Sequence, residues 1–116
     1  MAGRPRGLMG LKAVSDGDFD SEVMASDVPV LVDFWAEWCA PCKAMDPVLE
    51  DAQSELGARL KIVKLNSEEN VGTVTRFNVR SMPTYLVFKN GEVADMHVGA
   101  TLSRVAMIKW LEGHAA

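Results

Sequence analysis

Residues 28 to 36, "VPVLVDFWA", form a β-branched and aromatic run that is apolar on both faces, as expected of a strand covered by helices on each side. The segment after it, 40 to 56, sets Met45, Val48, Leu49, Ala52 and Leu56 at three- and four-residue spacing, with Asp46, Glu50, Asp51 and Glu55 elsewhere around the wheel. This predicts one amphipathic helix, bent at Pro47 and closed by Gly57. "RLKIVKLN", at 59 to 66, reads as a second strand. Strand, helix and strand then make a parallel crossover unit with the first run at the centre of the sheet.

The remaining periodicity completes the layout. A shorter helix is expected around 68 to 77, with Val71, Val74 and Phe77 inward. "TYLVF" at 84 to 88 and "EVADMHV" at 92 to 98 flank Asn90-Gly91, a dipeptide suited to the left-handed backbone of a two-residue hairpin turn, so these strands run antiparallel. A last helix from about 102 to 112 turns Leu102, Val105, Ile108 and Leu111 inward, takes Trp110 into the core and meets Gly113 just past its end. Upstream, Asp18 caps a first helix through about 26, and Leu11 to Val14 supply an edge strand. The expected class is α/β: a mixed five-stranded sheet with four helices divided between its two faces.

A chain of 116 residues can bury one real core, and the segment 11 to 114 is expected to be a single domain behind a loose leader, "MAGRPRGLMG", at 1 to 10. Hydrophobic residues make up 48% and charged ones 24%, which argues against disorder, and no apolar run approaches the roughly 20 residues of a membrane helix. The leader lacks the apolar core of a secretory signal, so a cytoplasmic location is expected. A net charge of -4, with Lys and Arg scattered, offers no field for nucleic acid and suits a monomer that meets protein partners by diffusion.

The two cysteines of the chain, Cys39 and Cys42, stand three residues apart. Three roles compete for them: half of a zinc site, a structural disulfide and a redox couple. Zinc wants further ligands, and His97 and His114 form no ligand-spaced cluster. A staple across so short a ring removes little loop entropy. The redox role has a positive mechanism, because Cys39 falls where the central strand ends and a helix begins, and first-turn amides and the helix dipole favour an anion there. Cys39 is then the nucleophile, and Cys42, one turn on and recessed, attacks the mixed disulfide that Cys39 forms. Pro41 is tolerated in the first turn, where its missing N–H is no loss.

Two charges bear on this chemistry. Asp33 interrupts the apolar strand; buried, it would have a raised pKa and could exchange a proton with Cys42, whereas at a strand end it would be an ordinary solvated acid. Lys64, between Val63 and Leu65, either tunes Asp33 as a counter-charge or points its stem outward. Asp46, one turn past Cys42, is expected to solvate the outer helix face.

"DFWAEWCAPCK", Pro47 in the second helix, "VKLN" with Lys64, "SMPT" with Met82-Pro83 and "VGA" from Val98 to Ala100 occur in an order that resembles the thioredoxin family over nearly all of 11 to 114. The resemblance implies a thioredoxin fold in which Pro83 is cis and the backbone of Met82 pairs with an extended substrate. It further implies an apolar docking rim of Trp38, Pro41, Met82, Val98, Gly99 and Ala100, although Met82 and Val98 also suit plain core packing. Trp35 would pack beneath the site. Ala40 departs from the glycine usual between the cysteines, which leaves the reduction potential open.

The implied function is a general protein disulfide reductase acting on disulfide-containing target proteins. It needs no bound cofactor or metal beyond its own Cys39–Cys42 disulfide, and a separate thioredoxin-reductase-like flavoenzyme using NADPH recycles it. The alternative is a binding module that holds a partner on the same apolar rim, with the cysteines only modulating docking.

Overall fold

A computed structural model describes residues 11–116. The proposed leader at 1 to 10 lies outside the described residues. Five strands, β1 (Lys12–Val14), β2 (Val30–Trp35), β3 (Lys61–Asn66), β4 (Thr84–Lys89) and β5 (Glu92–Val98), form one sheet in the order β1-β3-β2-β4-β5. β2 is central, parallel to β3 and antiparallel to β4, and β1 joins as a parallel edge strand. The β4–β5 hairpin turns at Asn90 and Gly91, whose φ values of 52° and 76° are the left-handed pair that the dipeptide was expected to supply.

The side-chain period of two along β2 divides the core. Val30, Val32 and Phe34 face one layer with Phe19, Val23 and Phe88, where Phe19, Phe77 and Phe88 pack ring on ring with centroids 5.1 to 5.6 Å apart. Leu31 faces the other layer, with Leu49, Ala52, Leu56, Met107 and Leu111. Helices α1 (Asp20–Met24) and α4 (Val71–Arg76) cover the first face, and α3 (Asp46–Leu56) and α5 (Arg104–Glu112) cover the second. Asp33 falls on the second face, between apolar neighbours that point the other way.

Several boundaries differ from expectation. The helix expected over 40 to 56 is two, α2 (Ala40–Ala44) and α3, separated at Met45. Pro47 has no N–H to continue the ladder and sits at the start of α3, so what was expected as a bend is an interruption. Counting that pair as one, four helices flank the sheet. Gly57 closes α3 at φ 57°, but a 3-10 turn, Gly57–Arg59, follows it, so β3 starts at Lys61 and not at 59.

Asp18 does not cap the first helix. Its Oδ1 accepts from the Ser15 N–H at 2.7 Å, and the helix is a single wide π turn closed by the Ala25 N–H on the Asp20 carbonyl. The helix expected from 68 begins at Val71, which is 61% exposed rather than inward. In α5, Val105 is exposed and Met107 fully buried. Ser103 caps the helix, its hydroxyl accepting from the Ala106 N–H at 3.1 Å, so the helix begins at Arg104 and not at 102.

Candidate active site

β2 ends at Trp35, and a short loop delivers Cys39 to the N-cap of α2 in extended conformation (φ -97°, ψ 97°). Its Sγ accepts the Cys42 N–H at 3.2 Å, and its carbonyl accepts the Lys43 N–H at 3.3 Å. The sulfur therefore takes an amide donor that a serine or aspartate would take at an ordinary helix start. Pro41, exposed in this first turn, leaves no donor unpaired there. The Cα atoms of Cys39 and Cys42 are 5.3 Å apart and the two sulfurs are joined in a disulfide. Cys39 is 4% exposed and Cys42 1%, so both are deep and Cys42 is the more shielded.

Trp35, Met82 and Ala36 pack around the sulfurs. The Met82-Pro83 bond is cis, as the family resemblance implied. The Pro83 carbonyl accepts the Gly99 N–H at 2.8 Å, which brings the Val98 to Ala100 turn beside it. Val98 is 49% exposed, so it is not core; Met82 and Ala100 are half-buried. Trp38 is 67% exposed and donates a hydrogen bond from Nε1 to Glu68 Oε2 at 2.8 Å, while Ala40 is exposed between the cysteines.

Asp33 is completely buried, which excludes the solvated acid. Neither carboxylate oxygen has a hydrogen-bond partner among the described residues. Loss of hydration penalises the charged form and raises its pKa to about 7, with Lys64 drawing it down and Asp46 pushing it up. Lys64 stands beside Asp33 in the β2–β3 register. Its ammonium is spent elsewhere, on Asp46 Oδ1 at 2.7 Å, and lies 4.4 Å from the centre of the Trp35 ring. Asp46 is thus the second half of an ion pair whose two charges both act on Asp33, and not a mere solubiliser of the helix face. Glu68, bonded to Trp38, Ser67, whose hydroxyl donates to Met82 Sδ at 3.1 Å, and Tyr85, opposite Asp33 in the β2–β4 register, are contacts that sequence reasoning missed. Each depends on a pairing between distant segments that leaves no local signature.

The chain matches the Thioredoxin family model over residues 10–113. The chain belongs to the thioredoxin family. It is 45% identical over 101 residues to the thioredoxin of Haemophilus influenzae, covering 87% of this chain and 94% of that one. It is similarly 42% identical over 101 residues to the thioredoxin of Rickettsia bellii (87% and 95% covered) and 43% identical over 101 residues to Thioredoxin 1 of Nostoc (87% and 94% covered). As a thioredoxin-family protein with its cysteine pair bridged, it is an oxidoreductase of protein disulfides, and Cys39–Cys42 is its redox centre. Among the described residues no group of three or more His, Cys, Asp or Glu is placed to hold a metal ion. No described helix is long and apolar enough to cross a membrane.

Proposed function

We propose that this protein is a general reductant of disulfides in other proteins, and that it works in two exchange steps. Cys39, as thiolate, attacks a target disulfide; a sulfur–sulfur bond forms between Cys39 and the target, and the other target sulfur leaves and takes up a proton. Cys42 then passes its thiol proton to Asp33 and attacks Cys39 Sγ. The Cys39–Cys42 bond forms, the bond to the target breaks, and the second target sulfur departs with the electron pair and takes up a proton from solvent, to which Asp33 releases the one it accepted. The target gains two electrons and two protons in all.

The observation that carries this reading is the amide of Cys42 on Cys39 Sγ at 3.2 Å, together with a buried, unpartnered Asp33 on the strand that leads into the cysteines. A donor on the outer sulfur favours its anion, and an acid with a pKa of about 7 can accept a proton near neutral pH. Lys64 acts on Asp33 by charge and touches no substrate. Trp38, Pro41, Met82, Val98, Gly99 and Ala100 form the docking rim, with Pro83 holding the Met82 backbone open to an extended target segment. Ala40, Pro47 and Trp35 shape the support beneath. The dithiol is restored in the cytoplasm by a flavoenzyme that takes its electrons from NADPH, so the protein serves as a diffusing electron carrier.

Reduction of a model protein disulfide, coupled to NADPH oxidation by a thioredoxin reductase, tests the proposal. Cys39→Ser abolishes turnover, and Cys42→Ser accumulates the mixed disulfide. Equal rates for wild type and Cys39→Ser overturn it. A Cys39→Ser, Cys42→Ser double variant that keeps the full cellular effect would instead make the protein a binding module.

A further inference from the structure

Two buried polar side chains on neighbouring strands have no hydrogen-bond partner among the described residues: the Asp33 carboxyl, at both oxygens, and the Tyr85 hydroxyl. Both residues are 0% exposed. The β2–β4 register sets Asp33 directly opposite Tyr85, so their side chains leave the sheet on the same face, from Cβ atoms about 5 Å apart. Their other neighbours on that face, among them Leu31, Met45, Leu49 and Val87, are apolar. A buried polar group unsatisfied by its surroundings carries a full desolvation penalty, and here each of the two offers what the other lacks.

The charged groups around them narrow the choice of partner. From β3, Lys64 faces Asp33 but gives its ammonium to Asp46 of α3 at 2.7 Å. Cys42 of α2, buried and disulfide-bonded here, becomes in the reduced protein the thiol whose proton Asp33 is proposed to accept. From β5, His97 stacks on the Tyr85 ring at 6.4 Å and binds the Thr101 hydroxyl at 2.9 Å. α5 contributes Met107 and Leu111, which carry no charge. Tyr85 itself stays protonated, because burial, with the nearby Asp33 and Asp46 charges, pushes its hydroxyl well above its ordinary range. It is therefore a donor at every working pH.

We propose that Tyr85 is a positioning residue for thiol–disulfide exchange: its hydroxyl donates a hydrogen bond to Asp33 once Asp33 is ionised, holding the carboxylate in the state that takes the Cys42 proton. The inference rests on the reading of Asp33 as proton acceptor. In the step concerned the Cys42 S–H bond breaks and an Asp33 O–H bond forms, while the sulfur–sulfur bond passes from target–Cys39 to Cys39–Cys42. Tyr85 keeps its own proton throughout.

Tyr85→Phe removes the oxygen and keeps the ring. Two measurements read its effect: the carboxyl carbon-13 titration of Asp33 in the oxidised protein, and single-turnover reduction of a disulfide peptide across the neutral pH range. Loss of a donor to the carboxylate raises the Asp33 midpoint by about one pH unit and moves the rate profile the same way, so the rate below the midpoint falls as much as about tenfold. In an Asp33→Asn background Tyr85→Phe changes neither the rate nor its pH dependence. An unmoved Asp33 midpoint, or an equal rate loss in the Asp33→Asn background, assigns Tyr85 to packing and overturns the inference alone. A pH profile unaltered by Asp33→Asn itself overturns the role of Asp33, and that of Tyr85 with it.

Discussion

Asp33 and Lys64 occupy one register position of the central parallel strand pair, yet the lysine spends its hydrogen bond on Asp46, 2.7 Å away, and leaves the buried carboxyl without one. Lys64 therefore acts on Asp33 through space, as one charge of a pair whose two ends pull its pKa in opposite directions. The arrangement keeps an acid in the core that is costly to ionise but not impossible to ionise.

That cost appears in stability. Unfolded, Asp33 titrates near 3.8; folded, near 7. A pKa raised by folding contributes stability that is present below about 3.8 and is lost as the pH climbs through 7, above which the folded protein carries the whole expense of a buried anion. Asp33→Asn should raise the unfolding free energy by about 2–4 kcal/mol near pH 8 and by far less near pH 4. Urea unfolding at the two pH values measures the difference, and equal gains at both would contradict it.

The Lys64–Asp46 pair should be separable by sign. Lys64→Met removes the charge that favours the Asp33 anion, and Asp46→Asn removes one that opposes it. The first is expected to move the alkaline-going rate profile up by about half to one pH unit and the second to move it down. Shifts in the same direction would show that the variants act through packing.

Helix α5 makes a packing prediction. Met107 is completely buried and Val105 is 70% exposed, two positions about 200° apart round the helix axis. Met107→Ala should cost roughly 2–4 kcal/mol, as a truncated core side chain does. Val105→Ala should stay within about 0.5 kcal/mol. Comparable losses at the two sites in denaturant unfolding would place the wrong face inward.

Asp16 ties the turn after β1 to the start of α4. Its Oδ1 accepts the Thr73 N–H at 2.8 Å and the Thr73 hydroxyl at 2.6 Å, and its Oδ2 accepts the Gly72 N–H at 3.1 Å. These bonds, that of the Thr73 hydroxyl foremost, hold its pKa below the ordinary 3.8. The stability they add is present above that value and is lost as the pH falls through the depressed one. Asp16→Ala should lower the urea midpoint at neutral pH, with the gap to wild type closing in acid; a gap constant with pH would mean that the carboxylate is not the cap.

Much of the site was legible because its determinants are local. The strand-to-helix junction at Cys39 and the hairpin at Asn90-Gly91 are each written within a few residues. The errors came where local signals compete. Leu102, Val105 and Ile108 are evenly spaced, but the face packed against α3 and the sheet takes Met107 and leaves Val105 in solvent. At Pro47 the periodicity runs on while the missing N–H breaks the ladder. Asp18 had cap chemistry and spent it on Ser15, while Asp16, which had no helix of its own, capped one more than fifty residues away.

The sequence by itself determined the order of strands and helices and the placing of a sulfur at a helix start, since side-chain period, proline and turn chemistry act over a few bonds. Only the tertiary structure decided which polar groups meet. Register set Asp33 against Lys64 on one side and Tyr85 on the other, and the fold of α3 over the sheet brought Asp46 to the lysine. Electrostatics in a core depends on distance through space and on the exclusion of water, and neither is a property of neighbours along the chain.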